Sequence, residues 1–314
     1  MESWYVLINP SAGSGSGAKN WQRIARMLEE AKISHDIRIS ERPDQVPLLI
    51  RKALQNGFRR FAVAGGDGTI NHLVNALYRQ DIIPTAELRI ALLPLGTGND
   101  WLKTHKIGTR LKKAVEALRQ RQFYKHDVGY IDCHLPSGTE RVYFINIAGF
   151  GFDTLVVKRH KLMLSGFNLG ALSYVYVVLT SLFDFEPLPV EITTDQERLR
   201  ENLFNLSVAN CCFSGGGMLF GPRAVPDDGL LDLTLIRKIS PFKIIANLHR
   251  LFTGAYVKQR EVSLHRGKEI EIRTNGFFPA EVDGELVPEA NHYTLGILPQ
   301  SIEVVSALAD QPPA

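Results

Sequence analysis

The residues best placed for chemistry are Gly65-Gly66-Asp67-Gly68-Thr69. They follow an apolar strand, Phe61-Ala62-Val63-Ala64, and precede a helical run from Ile70 to Leu77. Three glycines within four positions let the backbone approach a ligand closely and turn N–H groups toward it. The helix behind them adds the positive end of its dipole, which favours phosphate. Asp67 would repel phosphate unless a cation lay between them, so the loop points to a nucleotide with Mg²⁺. A plain strand-to-helix turn uses the same residue types, and a short glycine motif alone does not separate the two.

Two further strand ends carry similar chemistry. The apolar run Leu88–Leu93 leads into Pro94-Leu95-Gly96-Thr97-Gly98-Asn99-Asp100, with a helical run from about Trp101. The opening strand Tyr5–Ile8 leads into Asn9-Pro10-Ser11-Ala12-Gly13 and a Gly/Ser-rich stretch ending at Lys19. Ligands of parallel sheets sit beyond the carboxyl ends of the strands, so these loops can share one phosphate-binding crevice. No glycine is followed by Lys and Ser/Thr at the P-loop spacing.

The elements needed to hold the loops are legible in the pattern. The first ~125 residues alternate strand and helix, which predicts a doubly wound parallel sheet in an α/β domain. Its helices are expected over 21–31, 45–54, 70–78 and 111–121, the third with Ile70, Leu73, Val74 and Leu77 on one stripe. From 126 to 299 the pattern changes to short, mostly β-branched or alternating runs. It predicts a second, antiparallel β-sandwich or open-barrel domain, with helices only over 169–183 and 241–253. A hinge is expected near 123–127.

With 45% apolar residues and a net charge of +3, bulk charge does not call for nucleic acid, and no nucleic-acid partner is expected. Basic clusters at Lys158-Arg159-His160-Lys161, Arg237-Lys238 and His265-Arg266-Gly267-Lys268 are solvated surface or contacts for anionic lipid. Three cysteines without a C-x-x-C pair fit a reducing compartment. No leader pattern precedes the first strand, and the expected location is the cytoplasm. The uncharged stretch 162–183 is broken by Ser165, Gly166, Asn168 and Gly170. It reads as a turn and a buried or interfacial helix rather than a membrane span.

In combination, Asn9-Pro10-x-x-Gly13, Gly65–Thr69 and Leu95-Gly96-Thr97-Gly98-Asn99-Asp100 resemble the diacylglycerol kinase catalytic family, and its soluble bacterial lipid kinases in particular. The likeness continues through Gly215-Gly216-Gly217, Asp227-Asp228-Gly229-Leu230-Leu231-Asp232 and Asp283-Gly284-Glu285, and so covers nearly the whole chain. The resemblance implies ATP-dependent phosphorylation of a lipid hydroxyl, most simply diacylglycerol to phosphatidic acid, in a cleft between the two domains. It also implies that about 300–306 packs back on the first domain. ATP contacts map onto Asn9, Ser40, Gly65, Gly66, Asp67, Gly68, Thr69, Ile70, Asn71, Thr97, Asn99 and Asp100. Asp67 and Asp100 would hold the nucleotide's Mg²⁺ through water. A structural Mg²⁺ would take the Asp228 carboxylate and the carbonyls of Val225 and Leu230. Glu285 would be the base, with Asp283 ordering its loop or the metal's waters.

Elementary chemistry agrees with those roles. A lipid alcohol has a high pKa, so a carboxylate that accepts its proton assists attack, and the rest is positioning and charge neutralisation. Oxygen ligands suit Mg²⁺. The chain has His72 where relatives carry Glu, and Trp101-Leu102-Lys103 where they carry Phe-Ala-Arg. His72 is expected on the helix surface. The expected partners are a membrane lipid, met by peripheral contact at the inner face of the membrane through residues flanking 162–167, and a second copy of the chain in a homodimer. An NAD kinase and a non-catalytic nucleotide- or lipid-sensing module are the alternatives.

Overall fold

The computed structural model describes residues 3–10, 12–40, 42–95, 99–164 and 171–310. In the first half, strands β1 (Trp4–Ile8), β2 (His35–Ile39), β3 (Arg60–Gly65) and β4 (Arg89–Pro94) alternate with helices α1 (Ala12–Glu30), α2 (Val46–Gln55), α3 (Asp67–Tyr78), α4 (Asp100–Thr104) and α5 (Leu111–Gln120). The strands pair in parallel in the order β2-β1-β3-β4. β1 and β3 are buried along their whole length, as expected for strands covered on both faces. The chain leaves β1 toward β2 on one side and returns to β3 on the other. The carboxyl ends of β1 and β3 therefore flank the switch point of the sheet, where Asn9 and Gly65–Thr69 emerge.

The second half contains β5 (Phe123–Leu135), β6 (Gly138–Phe144), β7 (Ile147–Gly151), α6 (Phe152–Leu164), α7 (Ala171–Asp184), β8 (Leu188–Thr194), β9 (Arg198–Ala209), β10 (Phe213–Ser214), β11 (Met218–Leu219), β12 (Leu231–Arg237), α8 (Pro241–Asn247), α9 (His249–Thr253), β13 (Val262–Gly267), β14 (Glu269–Phe278), β15 (Ala280–Val282), β16 (Glu285–Leu286) and β17 (Ala290–Val305). Its strand pairs are antiparallel. They enclose a separate core that includes Phe150, Leu206, Leu233, Ile272 and Leu295.

Several elements depart from the pattern reading. α1 starts nine residues early, running through the Gly/Ser-rich stretch, whose low helix propensity gave no signal. α3 begins at Asp67, so Gly68 and Thr69 lie in its first turn. α6 was unmarked, because its residues form only a weak apolar stripe. The single helix expected over 241–253 divides into α8 and α9. Residues 123–127, the expected hinge, are part of β5, and 123–126 pair with β17 through residues 302–305. The same end of β17 pairs in parallel with β4. A register shift between Leu298 and Ile302 turns the strand from one half into the other. Among the described residues no helix is long and apolar enough to cross a membrane.

Candidate active site

The phosphate loop is built from close packing around Thr69. Asn9 Nδ2 donates to Thr69 Oγ1 at 3.3 Å, and the Gly66 N–H reaches the same oxygen at 3.4 Å. A Cβ on Gly65 would fall 2.2 Å from that oxygen, so only glycine lets the loop close on its own threonine. Gly66 faces Asn99, whose Oδ1 lies 3.7 Å from a Cβ built there. Asn99 holds a left-handed φ of +50°, and α4 starts at the next residue. Ser40 joins Asn9, Thr69 and His72 in the wall of one crevice, and its hydroxyl donates to the Arg42 carbonyl at 2.8 Å. His72 therefore faces this crevice rather than the open helix surface expected for it. Thr97 lies outside the described residues.

The two aspartates of the loops have different tasks. Asp67 caps α4, its two oxygens accepting the N–H groups of Asp100 at 2.9 Å and Trp101 at 3.1 Å. Burial raises its pKa against those two bonds. Asp100 is buried. Its Oδ1 pairs with Lys103 Nζ at 2.6 Å, and its Oδ2 accepts the Gly216 N–H at 2.7 Å. It fastens the first half to the β10–β11 hairpin. Gly215, Gly216 and Gly217 all have positive φ. At Gly217 a Cβ would meet Lys103 Nζ at 2.8 Å.

Asn71 and Asp283 also join the halves. Asn71 Nδ2 donates to the Tyr143 carbonyl at 3.0 Å and to Asp283 Oδ2 at 2.9 Å. The Asp283 carboxylate further accepts the N–H groups of Ile145, Asn146 and Ile147 at 2.9–3.0 Å. Burial pushes its pKa up to about 6 despite these bonds. Asp283 thus ties its turn to the connection before β7, and the Asn71 amide bridges that turn and the Tyr143 carbonyl. The Ile70 side chain is fully buried in the first core, which leaves its backbone alone for a ligand.

Glu285 is where the halves meet over the phosphate loop. Asp283 and Gly284 have φ of +51° and +85°. They form the two-residue turn between β15 and β16, with Val282 opposite Glu285. Glu285 is half-buried, and its Oε1 lies 3.5 Å from where a Cβ on Gly68 would stand. A carboxylate 217 positions away in sequence is thereby set against the first turn of α3, whose amides have no partner within the helix.

The Asp227–Asp232 segment holds a second group of acids. Asp228 Oδ1 accepts the Leu230 N–H at 3.0 Å, and its Oδ2 pairs with Arg266 Nη2 at 2.6 Å. Arg266 also reaches Asp232 at 2.9 Å. Asp127 was not singled out by any motif. Its carboxylate accepts the N–H groups of Gly229 at 2.7 Å and Gln300 at 2.6 Å, tying the loop to the bulge of β17. Burial, with Asp227 and Asp228 nearby, raises its pKa. Asp228 and the carbonyls of Val225 and Leu230 are oxygen donors, the kind a hard divalent cation takes, with the Asp228 carboxylate ion-paired to Arg266. Sequence reasoning gave no role to Asp127 or Lys103, and named the triplet holding Gly216 without its contact to Asp100. Their only signals were a carboxylate at a domain junction and a glycine triplet.

A parallel α/β half with phosphate loops at its switch point, capped by an antiparallel half that supplies a carboxylate, defines a two-domain phosphotransferase. Residues 3–131 match the diacylglycerol kinase catalytic domain, and residues 146–306 match the YegS C-terminal NAD kinase beta sandwich-like domain. A probable lipid kinase YegS-like of Shewanella frigidimarina is 30% identical over 279 residues, covering 88% of this chain and 86% of that protein. A diacylglycerol kinase of Mycobacterium tuberculosis is 28% identical over 273 residues, covering 86% and 85%. The crystal structure of a diacylglycerol kinase from Bacillus anthracis superposes with a TM-score of 0.70 at 20% identity over 98% of both chains. Yeast NADH kinase superposes with 0.51 at 11% identity over 98% of this chain and 84% of that one, so the fold alone would not choose between the two. The sequence matches do: the chain belongs to the diacylglycerol kinase catalytic family, with the second half of the YegS type. It is a lipid kinase, and the family uses ATP together with a divalent metal.

Proposed function

We propose that the protein transfers the γ-phosphoryl of ATP to the primary hydroxyl of diacylglycerol, with Mg²⁺ as the metal and Glu285 as the base. The observation that carries this reading is the Glu285 carboxylate against Gly68 of the phosphate loop. Glu285 takes the hydroxyl proton as the alcohol oxygen bonds to phosphorus and the bond to ADP breaks. Asn9, Ser40, Thr69 and the first-turn amides of α3 hold the nucleotide, with Thr97 and Asn99 completing the site. Asp67 and Asp100 keep the two loops in register. Mg²⁺ would neutralise phosphate charge at the loops, and a second ion would be held by Asp228, Val225 and Leu230. Thin-layer separation of lipids after incubation with labelled ATP tests the assignment. Labelled phosphatidic acid is expected, and label in NAD with none in any lipid would overturn it.

The membrane contact fits a surface on the second half. Leu162, Tyr176, Leu179, Phe183, Phe242, Ile245, Leu248 and Phe252 are all exposed. The rings of Phe183 and Phe242 lie 5.9 Å apart, which joins α7 to α8. Lys243 and Arg250 on the same short helices are exposed, so an apolar face carries basic residues beside it. α6 packs against β16, the strand that bears Glu285, so a membrane held at this face would present lipid close to the base. The protein would then work as a peripheral enzyme on the inner face of the membrane.

A further inference from the structure

A cluster of metal-ligating side chains lies behind the phosphate loops and takes no part in the reading above. His105 follows α4, His126 is on β5 and Cys211 is on the turn after β9, so three segments distant in sequence meet. One ring nitrogen of each histidine and the Cys211 Sγ lie within 4.8 Å of one another. All three residues are fully buried.

The hydrogen bonds around the cluster sort the ring nitrogens. His105 Nδ1 contacts Ser306 Oγ at 2.9 Å, and His126 Nδ1 contacts the Asp127 carbonyl. The carbonyl can only accept, so His126 carries its proton on Nδ1 and a lone pair on Nε2. The same tautomer suits His105 beside the hydroxyl. An imidazole whose Nδ1–H is held by an oxygen, with Nε2 turned to the site, is the usual form of a metal-bound histidine. His105 Nε2 is buried and has no hydrogen-bond partner, and so is the Thr104 hydroxyl oxygen. His126 Nε2 stands 3.6 Å from Cys211 Sγ. That matches the ~3.6 Å edge of a tetrahedron with Zn–N near 2.0–2.1 Å and Zn–S near 2.3 Å. Two contacts compete. The Trp101 indole N–H reaches His126 Nε2 at 3.4 Å, and the thiol reaches the Ile145 carbonyl at 3.4 Å. The first is long for a hydrogen bond of its kind, and metal binding would displace it.

We infer that His105, His126 and Cys211 bind one Zn²⁺ ion, with the Thr104 hydroxyl or a water in the fourth position. Two imidazoles and a thiolate select zinc over Mg²⁺, which takes oxygen ligands. Binding converts the thiol to a thiolate and releases its proton to solvent, with no change of oxidation state. The ion would staple the end of α4, and through it Asp100, to the second half and to Ser306 at the end of the chain's last strand. It is separate from the metal that accompanies ATP.

The ligands are enclosed, so the ion enters as the chain folds. The test is to produce the full chain in minimal medium supplied with Co²⁺ in place of Zn²⁺ and record its metal content and absorption spectrum. About one cobalt per chain and a thiolate-to-cobalt charge-transfer band are expected. Both should be lost in Cys211→Ser and kept in Cys133→Ser and Cys212→Ser. Ser306→Ala, which removes the His105 support, should weaken the retained ion about 10- to 100-fold in competition with a chelator. A folded wild-type chain without cobalt, or with cobalt but no thiolate band, overturns the site, as does a band that survives Cys211→Ser. Should Cys211→Ser fail to fold, the wild-type metal content and spectrum decide alone.

Discussion

At the scale of single residues, the loop glycines are not equivalent, and the structure separates them by what a methyl group would meet. At Gly65 it would collide with Thr69 at 2.2 Å, whereas at Gly68 it would rest 3.5 Å from Glu285. Gly65→Ala is therefore expected to displace Thr69, to break its bond to Asn9 and to destabilise the fold by about 1–3 kcal/mol, with ATP affinity falling in a direct binding assay. Gly68→Ala should keep wild-type thermal stability. Glu285→Gln should bind ATP normally while phosphoryl transfer drops by about 10²- to 10⁴-fold. Transfer that survived this change would remove Glu285 from the mechanism. The glycine spacing was plain in the sequence. That Asp67 caps α4 was not, because the capped helix begins thirty-three residues later and no local pattern joins the two.

At the scale of elements, the Asp283–Gly284 turn is a clamp as well as a hairpin. Four N–H groups, from Asn71, Ile145, Asn146 and Ile147, converge on one carboxylate. An amide at that position can accept on one atom only and would turn an NH₂ group toward donors. Asp283→Asn is expected to cost about 2–4 kcal/mol of stability, read as a lower denaturant midpoint, and to loosen β16 so that transfer falls more than ATP binding. The turn was legible from Asp-Gly alone. Its role was not, since its partners come from α3 and from the β6–β7 connection. The same holds for the glycine triplet at 215–217, whose Gly216 N–H bonds Asp100 and whose Gly217 stands against Lys103, both on the distant α4.

At the scale of the molecule, two buried acids should shape the response to pH. Burial pushes both Asp153 and Asp283 up to about 6. Asp153 shares the space above Gly149 with Glu281, an oxygen of each lying 2.5 Å from a Cβ built there. A raised acid holds its proton more tightly in the folded state, so stability falls as pH rises from about 4 to 6, and above that window the penalty stands in full. Melting temperatures measured from pH 5 to 7 should decline for the wild type and flatten for Asp153→Asn. An unchanged slope would rule out Asp153 as a source. Liposome sedimentation should show binding that weakens with salt and is lost in Phe242→Asp/Phe252→Asp. Local patterning determined the α/β half, the antiparallel half, the phosphate loops and the family, because glycine spacing and hydrophobic period are short-range properties of the chain. Only the tertiary structure decided which acids hold the halves together and which one stands against the phosphate loop. A carboxylate's role depends on the N–H groups and charges that folding brings to it, and here those come from positions as far apart as 71 and 283.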